Sequence, residues 1–371
     1  MEKFIKITRR NTVLIIAFLA AVITSFLIPP DDRYIGYFDF KTLTCLFCVL
    51  AVVCALKNIN FFYILACRIV KSFKNARMCV IVLVWVTFIG SMLIANDMAL
   101  LTFLPLGYFV LHTTGKEKYM AFTFIMQNIA ANLGGMLPPF GNPQNLYLYS
   151  KFNIPIDEFT MIMLPPFLLS IALITACCFI FVKAEPMTFS DDKVKLNIPR
   201  AVIYLILFAF SLIIVFRIIP YYIGLVVIPA ALLIADRKAL KMVDYGLLLT
   251  FVCFFIFAGN MARIDAVREG FSYLLRQNTL IFSILSCQVI SNVPSAILLS
   301  QFTGDYHSLL LGVNIGGVGT LIASLASLIT LRQYNAYYPQ KTAAYIGKFT
   351  AFNFGFLIIL SAFCLFFTST F

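Results

Sequence analysis

Charge is what this 371-residue chain has least of: Asp, Glu, Lys and Arg together make up 12% of it, about half the quarter usual in soluble domains. Hydrophobic residues reach 61% and mean hydropathy is +0.95. A soluble fold would have to clothe its surface in Leu, Ile and Phe, so composition excludes one and places the chain in a bilayer. Histidine is scarce as well. His112 and His307 both sit at segment ends, where an interfacial role outweighs a catalytic one. No Gly-x-x-x-x-Gly-Lys-Ser/Thr sequence exists, which removes an engine for ATP-driven pumping. Neither His-Glu-x-x-His nor a pair of intramembrane acids occurs, which disfavours an intramembrane protease or transferase. Cys45 and Cys48 have a redox or half-zinc spacing, but no second pair accompanies them. All ten cysteines fall inside apolar stretches, where small buried thiols are the simpler reading. Neither an enzyme nor a cofactor protein is expected.

The charges that remain are unbalanced, with 28 basic against 16 acidic residues. Nucleic-acid binding would explain the excess, but in a membrane protein basic residues collect in cytoplasmic loops. A span needs about 20 apolar residues. Nine stretches qualify: 12–29, 38–56, 119–150, 157–183, 201–216, 222–235, 243–261, 308–331 and 340–369. The first follows a basic N-terminus yet has no small-x-small cleavage site, so it reads as a retained span rather than a signal peptide. Two further apolar stretches, 78–112 and 278–303, are interrupted by Asn96-Asp97 and by Ser291-Asn292. Each half is then too short to cross, which predicts re-entrant hairpins. Segments 59–76 and 263–276 are short, amphipathic and basic, like interfacial arms. With the N-terminus cytoplasmic, the inside segments hold 21 basic residues and the outside segments 7. That split predicts a multi-pass protein of the cell membrane with a cytoplasmic N-terminus, and it needs no nucleic acid.

The sequence also repeats itself. The stretch from Phe38 aligns with that from Val243, pairing Asp39 with Asp244 and Cys48 with Cys253. Asn96 pairs with Asn292, and Asn132-Leu-Gly-Gly with Asn314-Ile-Gly-Gly. Each copy reads span, span, hairpin, broken span, span. The predicted organisation is a first repeat over 1–183, a cytoplasmic loop and joining helix over 184–216, and a second repeat over 217–371. A single joining helix turns the second copy upside down, and inverted repeats with broken helices characterise secondary transporters. The expected fold is an all-α polytopic membrane protein with two inverted repeats, two re-entrant hairpins and broken transmembrane helices.

Four polar breaks interrupt apolar sequence: Ala95-Asn96-Asp97, Asn132 to Asn145, Ser291-Asn292-Val293-Pro294, and Asn314 to Thr320. Gly and Pro stop the helix there and leave backbone groups that only protein, water, an ion or substrate can satisfy. Half-helix N-termini offer partial positive charge to an anion, and unwound carbonyls suit a cation. The predicted substrate and ion site comprises Asn96, Asp97, Gly141, Asn142, Ser291, Asn292, Gly319 and Thr320. Asp97 is the one acid placed deep in the apolar layer, at a cost of about 2.5–3.5 kcal/mol on insertion scales. Its repeat partner is Val293, so it is not needed to build a hairpin. Ionised, it repels an anionic substrate; either it is protonated when substrate binds, which makes a proton the coupling partner, or the substrate is neutral or cationic.

The stretch Leu93-Ile-Ala-Asn-Asp-Met-Ala-Leu-Leu-Thr-Phe-Leu-Pro105 and the breaks beginning at Asn132 and Asn314 resemble the ion transporter superfamily. Its members include divalent-anion/sodium symporters, citrate transporters, arsenite permeases and a group of sodium/proton antiporters. The resemblance implies a scaffold part and a transport part, a homodimer, and elevator-like motion. It also implies that the tips bind sodium and substrate carboxylates, with Asn96 and Asn292 as sodium ligands. Ala95, Asp97 and Val293 depart from the Ser-Asn-Thr tips of the dicarboxylate branch, and Ala-Asn-Asp is more similar to the arsenite/anion permease branch. The expected function is ion-coupled secondary transport of a small inorganic or organic anion, by Na⁺ or H⁺. The alternatives are an arsenite-type metalloid efflux permease and a cation/proton antiporter.

Overall fold

The computed structural model describes residues 12–187 and 196–368. Those residues are helical apart from turns and one isolated bridge, Asn75 to Pro186. The first half contains α1 Thr12–Leu27, α2 Phe40–Asn58, α3 Phe61–Lys71, α4 Ala76–Ile94, α5 Asn96–Thr113, α6 Met120–Gly134, α7 Pro143–Lys151 and α8 Ile156–Phe181. After α9, Ile198–Val215, come α10 Tyr221–Ala235, α11 Arg237–Met242, α12 Tyr245–Ala262, α13 Asp265–Gln277, α14 Thr279–Ile290, α15 Asn292–Leu299, α16 Tyr306–Ile315, α17 Leu325–Tyr337 and α18 Thr342–Thr368. By length and composition, α2, α4, α8, α9, α12 and the stretch Pro339–Phe366 are able to cross a membrane. The protein is a polytopic α-helical membrane protein.

Stretches 119–150 and 308–331 are each two helices joined by unwound chain, where broken spans are expected. Two of the other expected spans need correction: 12–29 and 222–235 form helices of only 16 and 15 residues, shorter than the six able to cross. In the other direction, α4 has 19 residues, enough to cross and more than the half-span expected. Lys3, Lys6, Arg9, Arg10, Lys193 and Lys195, which enter the charge split, lie outside the described residues.

Local chemistry explains the helix ends. Asp39 and Asp244, paired by the sequence, each cap a helix by accepting from the N–H three residues on, Thr42 at 2.9 Å and Leu247 at 3.0 Å. Pro138 and Pro139 cannot continue α6, because proline lacks the N–H and clashes with the preceding turn. Gly141 then packs so closely on the Gly135 carbonyl that no side chain fits between them. In the second unwound stretch Gly319 adopts φ +125°, a region that favours glycine. The breaks between α4 and α5 and between α14 and α15 are single residues, Ala95 at φ 61°, ψ 152° and Ser291 at φ 75°, ψ 160°. Neither is glycine, so each conformation costs about 1–3 kcal/mol and persists only where its surroundings enforce it.

The outer ends of these two helix pairs gather at different places. Ala76 N–H, at the start of α4, donates to the Glu185 carbonyl at 2.7 Å. Lys116 and Lys118, beyond the end of α5, reach the Glu185 carboxylate at 2.8 and 2.5 Å, and Tyr119 OH donates to it at 3.0 Å. These three donors hold the Glu185 carboxyl down to about 2. For the second pair, Phe271 of α13 stacks on Phe302 at 5.0 Å and meets Phe282 at 6.0 Å. Tyr306, just beyond α15, donates to Glu158 at 2.5 Å. Glu158 lies in the first turn of α8, and Glu185 follows its last residues.

Candidate functional site

A cavity of about 340 Å³ lies where four helices begin. Asn96 and Asp97 open α5, Pro143 and Gln144 open α7, Asn292 and Val293 open α15, and Ser324 and Leu325 stand at the start of α17; all eight line the cavity. Each helix start carries the positive end of its helix dipole, although in α15 the Asn292 and Val293 N–H groups are already bonded, to the Ala323 carbonyl and to Asn292 Oδ1, and Pro294 has none. Helices α5, α7 and α15 have no side-chain cap of their own; Ser324 caps α17 by accepting from Ala326 N–H at 3.2 Å. Among the described residues no Lys, Arg or His lines the cavity, and Asp97 is the only charged one that does. The remaining wall is mostly apolar, with Val13, Ile16 and Ala20 from α1 and Leu247, Phe254 and Phe257 from α12, relieved by Thr250. The arrangement therefore presents helix starts in a largely hydrocarbon wall, which suits an oxyanion on an apolar skeleton.

The two tips share a second device. Asn96 Oδ1 accepts from Asp97 N–H, and Asn292 Oδ1 from Val293 N–H, both at 2.9 Å. Around them a hydrogen-bonded frame connects the breaks. Asn132, 2% exposed at the end of α6, accepts at Oδ1 from Asn96 Nδ2 at 3.1 Å and from Ser324 Oγ at 2.8 Å. Asn314 Nδ2 donates to Asn145 Oδ1 at 2.6 Å, and Asn145 Nδ2 to the carbonyls of Gly135 and Met136 at 3.2 and 3.0 Å. Gln288 of α14 holds the second unwound stretch. Its Nε2 donates to the Gly316 and Val318 carbonyls at 2.9 and 3.2 Å, and its Oε1 accepts from Thr320 N–H at 2.8 Å.

Of the eight residues predicted from sequence, Asn96, Asp97, Ser291 and Asn292 line the cavity. Gly141, Asn142, Gly319 and Thr320 do not; they sit in the unwound stretches behind it. Asn142 Nδ2 donates to the Asn132 carbonyl at 3.2 Å, and Thr320 Oγ1 to the Gln288 carbonyl at 3.0 Å. As sodium ligands the two tip amides differ. Asn292 Oδ1 already accepts from Val293 N–H and shares the Ser291 hydroxyl proton with the Ala323 carbonyl, whereas Asn96 Oδ1 accepts only from Asp97 N–H and keeps a lone pair. Sequence reasoning missed Gln144, Ser324 and Thr250 in the wall and Gln288 behind it. Gln144 and Gln288 each carry a signal it passed over, a polar amide inside a break for Gln144 and three residues before one for Gln288. Cys45 and Cys48 are buried, free thiols.

Such a site, built from interrupted helices inside an apolar helix bundle, defines a membrane transporter. The family model for citrate transporters (CitMHS) matches residues 1–303, and the chain belongs to that family; it is a transporter and not an enzyme. The chain is 32% identical to the uncharacterized transporter MJ0456 of Methanocaldococcus jannaschii over 301 residues, which cover 80% of this chain and 82% of that one. It is 27% identical to the inner membrane protein YbiR of Escherichia coli over 328 residues, 85% of this chain and 86% of that one. The crystal structure of the Alcanivorax borkumensis YdaH transporter superposes with a TM-score of 0.47 at 10% identity, over 95% of this chain and 97% of that one.

Proposed function

We propose that this protein is a secondary active transporter for a small inorganic or organic anion, coupled to Na⁺ or H⁺ and working by elevator-like alternating access in the cell membrane, as a homodimer. The observation that carries this reading is the meeting of four helix N-termini on one cavity with no cationic side chain among the described residues of its wall. Their partial charges attract an anion without fixing it in a salt bridge, so it binds and also leaves. Family membership supports a small anion as cargo, since the family is described by citrate. The inverted-repeat reading is supported by the outer ends of the two helix pairs, which gather at opposite ends of α8, Glu185 at one and Glu158 at the other. At 26 residues α8 is about 39 Å long, so the pairs enter as hairpins from opposite faces and meet tip to tip.

A second reading keeps the same cavity for a neutral metalloid of the arsenite type, or for a cation exchanged against protons. Asp97 favours it, because an ionised carboxylate in the wall repels a bare anion. Uptake into proteoliposomes under separate proton and Na⁺ gradients decides between them. The anion reading expects accumulation of labelled citrate or a smaller carboxylate driven by one of the two gradients. Accumulation of arsenite, or of a cation against protons, with no carboxylate uptake would overturn it. For the topology, Glu117→Cys and Gly304→Cys in a Cys-free background are expected to label from opposite sides; labelling from the same side sinks the inverted repeat.

A further inference from the structure

Three of the helices that open on the cavity place their second residue in its wall: Asp97 in α5, Gln144 in α7 and Val293 in α15. These positions hold an acid, an amide and a hydrocarbon. Gln144 is 1% exposed, and its Oε1 has no hydrogen-bond donor; Asp97 Oδ1 is likewise enclosed without a donor. A buried acceptor left unpaired is costly, and native proteins rarely tolerate one without a use. Two unpaired acceptors on residues of one cavity wall, in a site that also offers helix N–H donors and the side chains of Thr250, Ser291 and Ser324, form a mixed pattern. A bare oxyanion completes only half of it, because its oxygens accept from the N–H groups and have nothing to give Gln144 and Asp97.

Resting on the anion reading above, we propose that Gln144 is a specificity-determining residue that accepts a hydrogen bond from an O–H group of the substrate, so that the site selects anions bearing a hydroxyl or a protonated oxygen beside their charged oxygens. The same O–H chemistry reconciles Asp97 with an anion. A donor facing the carboxylate makes a charge-assisted hydrogen bond in place of a repulsion. Val293, the apolar residue at the third position, leaves that side for the carbon skeleton.

The test compares anions that differ by one hydroxyl, citrate against tricarballylate and malate against succinate, at fixed pH and in the presence of Na⁺. Binding is measured by isothermal titration to detergent-purified protein, with competition for uptake as a second readout. A site that hydrogen-bonds a substrate hydroxyl rejects the analogue lacking it. The parent is therefore expected to bind the hydroxylated member of each pair at least about 10-fold tighter. Gln144→Met keeps the volume and removes the acceptor; its ratio should fall toward one through weaker binding of the hydroxylated member alone. Equal affinities within each pair in the parent overturn the proposal, and that result needs no variant. So does an unchanged ratio in a Gln144→Met protein that elutes and unfolds like the parent. Absence of binding by all four anions and by inorganic phosphate is a different failure: it overturns the anion reading itself, and this proposal with it.

Discussion

At Ala95 and at Ser291 the chain turns through nearly the same dihedral angles, and in both turns the next asparagine accepts from the following N–H at 2.9 Å. What holds the two tips in place is different. The second is bound to the unwound chain beside it by Asn292 N–H and Ser291 Oγ, which donate to the Ala323 carbonyl at 3.0 and 3.3 Å. Gln288, three residues before the tip, adds its clasp on Gly316, Val318 and Thr320. The first tip reaches its frame through the Asn96 amide, at 3.1 Å from Asn132, and exposes a carboxylate where the second has Val293. One backbone solution thus carries two different tips, a clasped one with Val293 after its asparagine and a lightly held one with Asp97 there.

The largest expected effect comes from removing what joins the halves. Asn132→Ala strips the acceptor from two donors, Asn96 Nδ2 and Ser324 Oγ, in a buried setting, at about 1–3 kcal/mol for each unpaired group. Transport should fall at least about 10-fold, with a clear drop in thermal midpoint in detergent. Asn314→Ala, at the paired position, orphans only the Asn145 carbonyl oxygen and should cost about half as much. Equal losses in the two variants would break the asymmetry drawn above.

A functional difference between the tips is expected next. Asp97→Asn mimics the protonated acid. If the first tip carries the coupled proton, the variant still exchanges substrate across a liposome membrane and loses accumulation driven by a pH gradient. Val293→Asp puts a carboxylate on the other tip and should weaken anion binding about 10-fold without creating proton coupling. Undiminished proton-driven uptake by Asp97→Asn would return the residue to a structural role.

The smallest effect sharpens the comparison at the outer ends, where the first pair gathers on an ion-paired Glu185 and the second on stacked aromatics. The Glu185 carboxyl is held at about 2, below its ordinary value of 4.5. A carboxyl with a depressed folded-state value stabilises fully above the unfolded value and loses that contribution as pH falls through the folded one. Parent and Glu185→Gln should therefore differ in thermal midpoint above about pH 4.5 and converge as pH falls toward about 2. A difference that persists at the acid end would show that the charge of the carboxylate is not what stabilises this end.

The tip residues were legible for a local reason. Asn96, Asp97 and Asn292 interrupt apolar runs where a polar side chain is costly, and such a residue announces itself without any knowledge of its neighbours. Asn132 was legible as the start of a break and as the partner of Asn314, but not as the acceptor that Asn96 and Ser324 share. Gln144 and Ser324 stand within four residues of predicted positions, Asn142 and Thr320, yet which residue of an unwound stretch turns toward a cavity depends on its path. Gln288 lies within an apolar helix and reads as a tolerated amide until Gly316, Val318 and Thr320 are seen against it.

By itself, the sequence determined the bilayer setting, the places where helices stop and the asparagines at both tips. Each of these follows from costs paid within a few residues: apolar length, proline and glycine chemistry, and polar groups in hydrocarbon. Only the tertiary structure decided that four helix starts face one cavity, that Gly141, Asn142, Gly319 and Thr320 stand behind it, and that Gln144 is left without a donor. Those outcomes rest on contacts such as Ser324 to Asn132, 192 residues apart in the chain. A pairing over that distance is set by how helices pack across the whole bundle, and no local pattern encodes it.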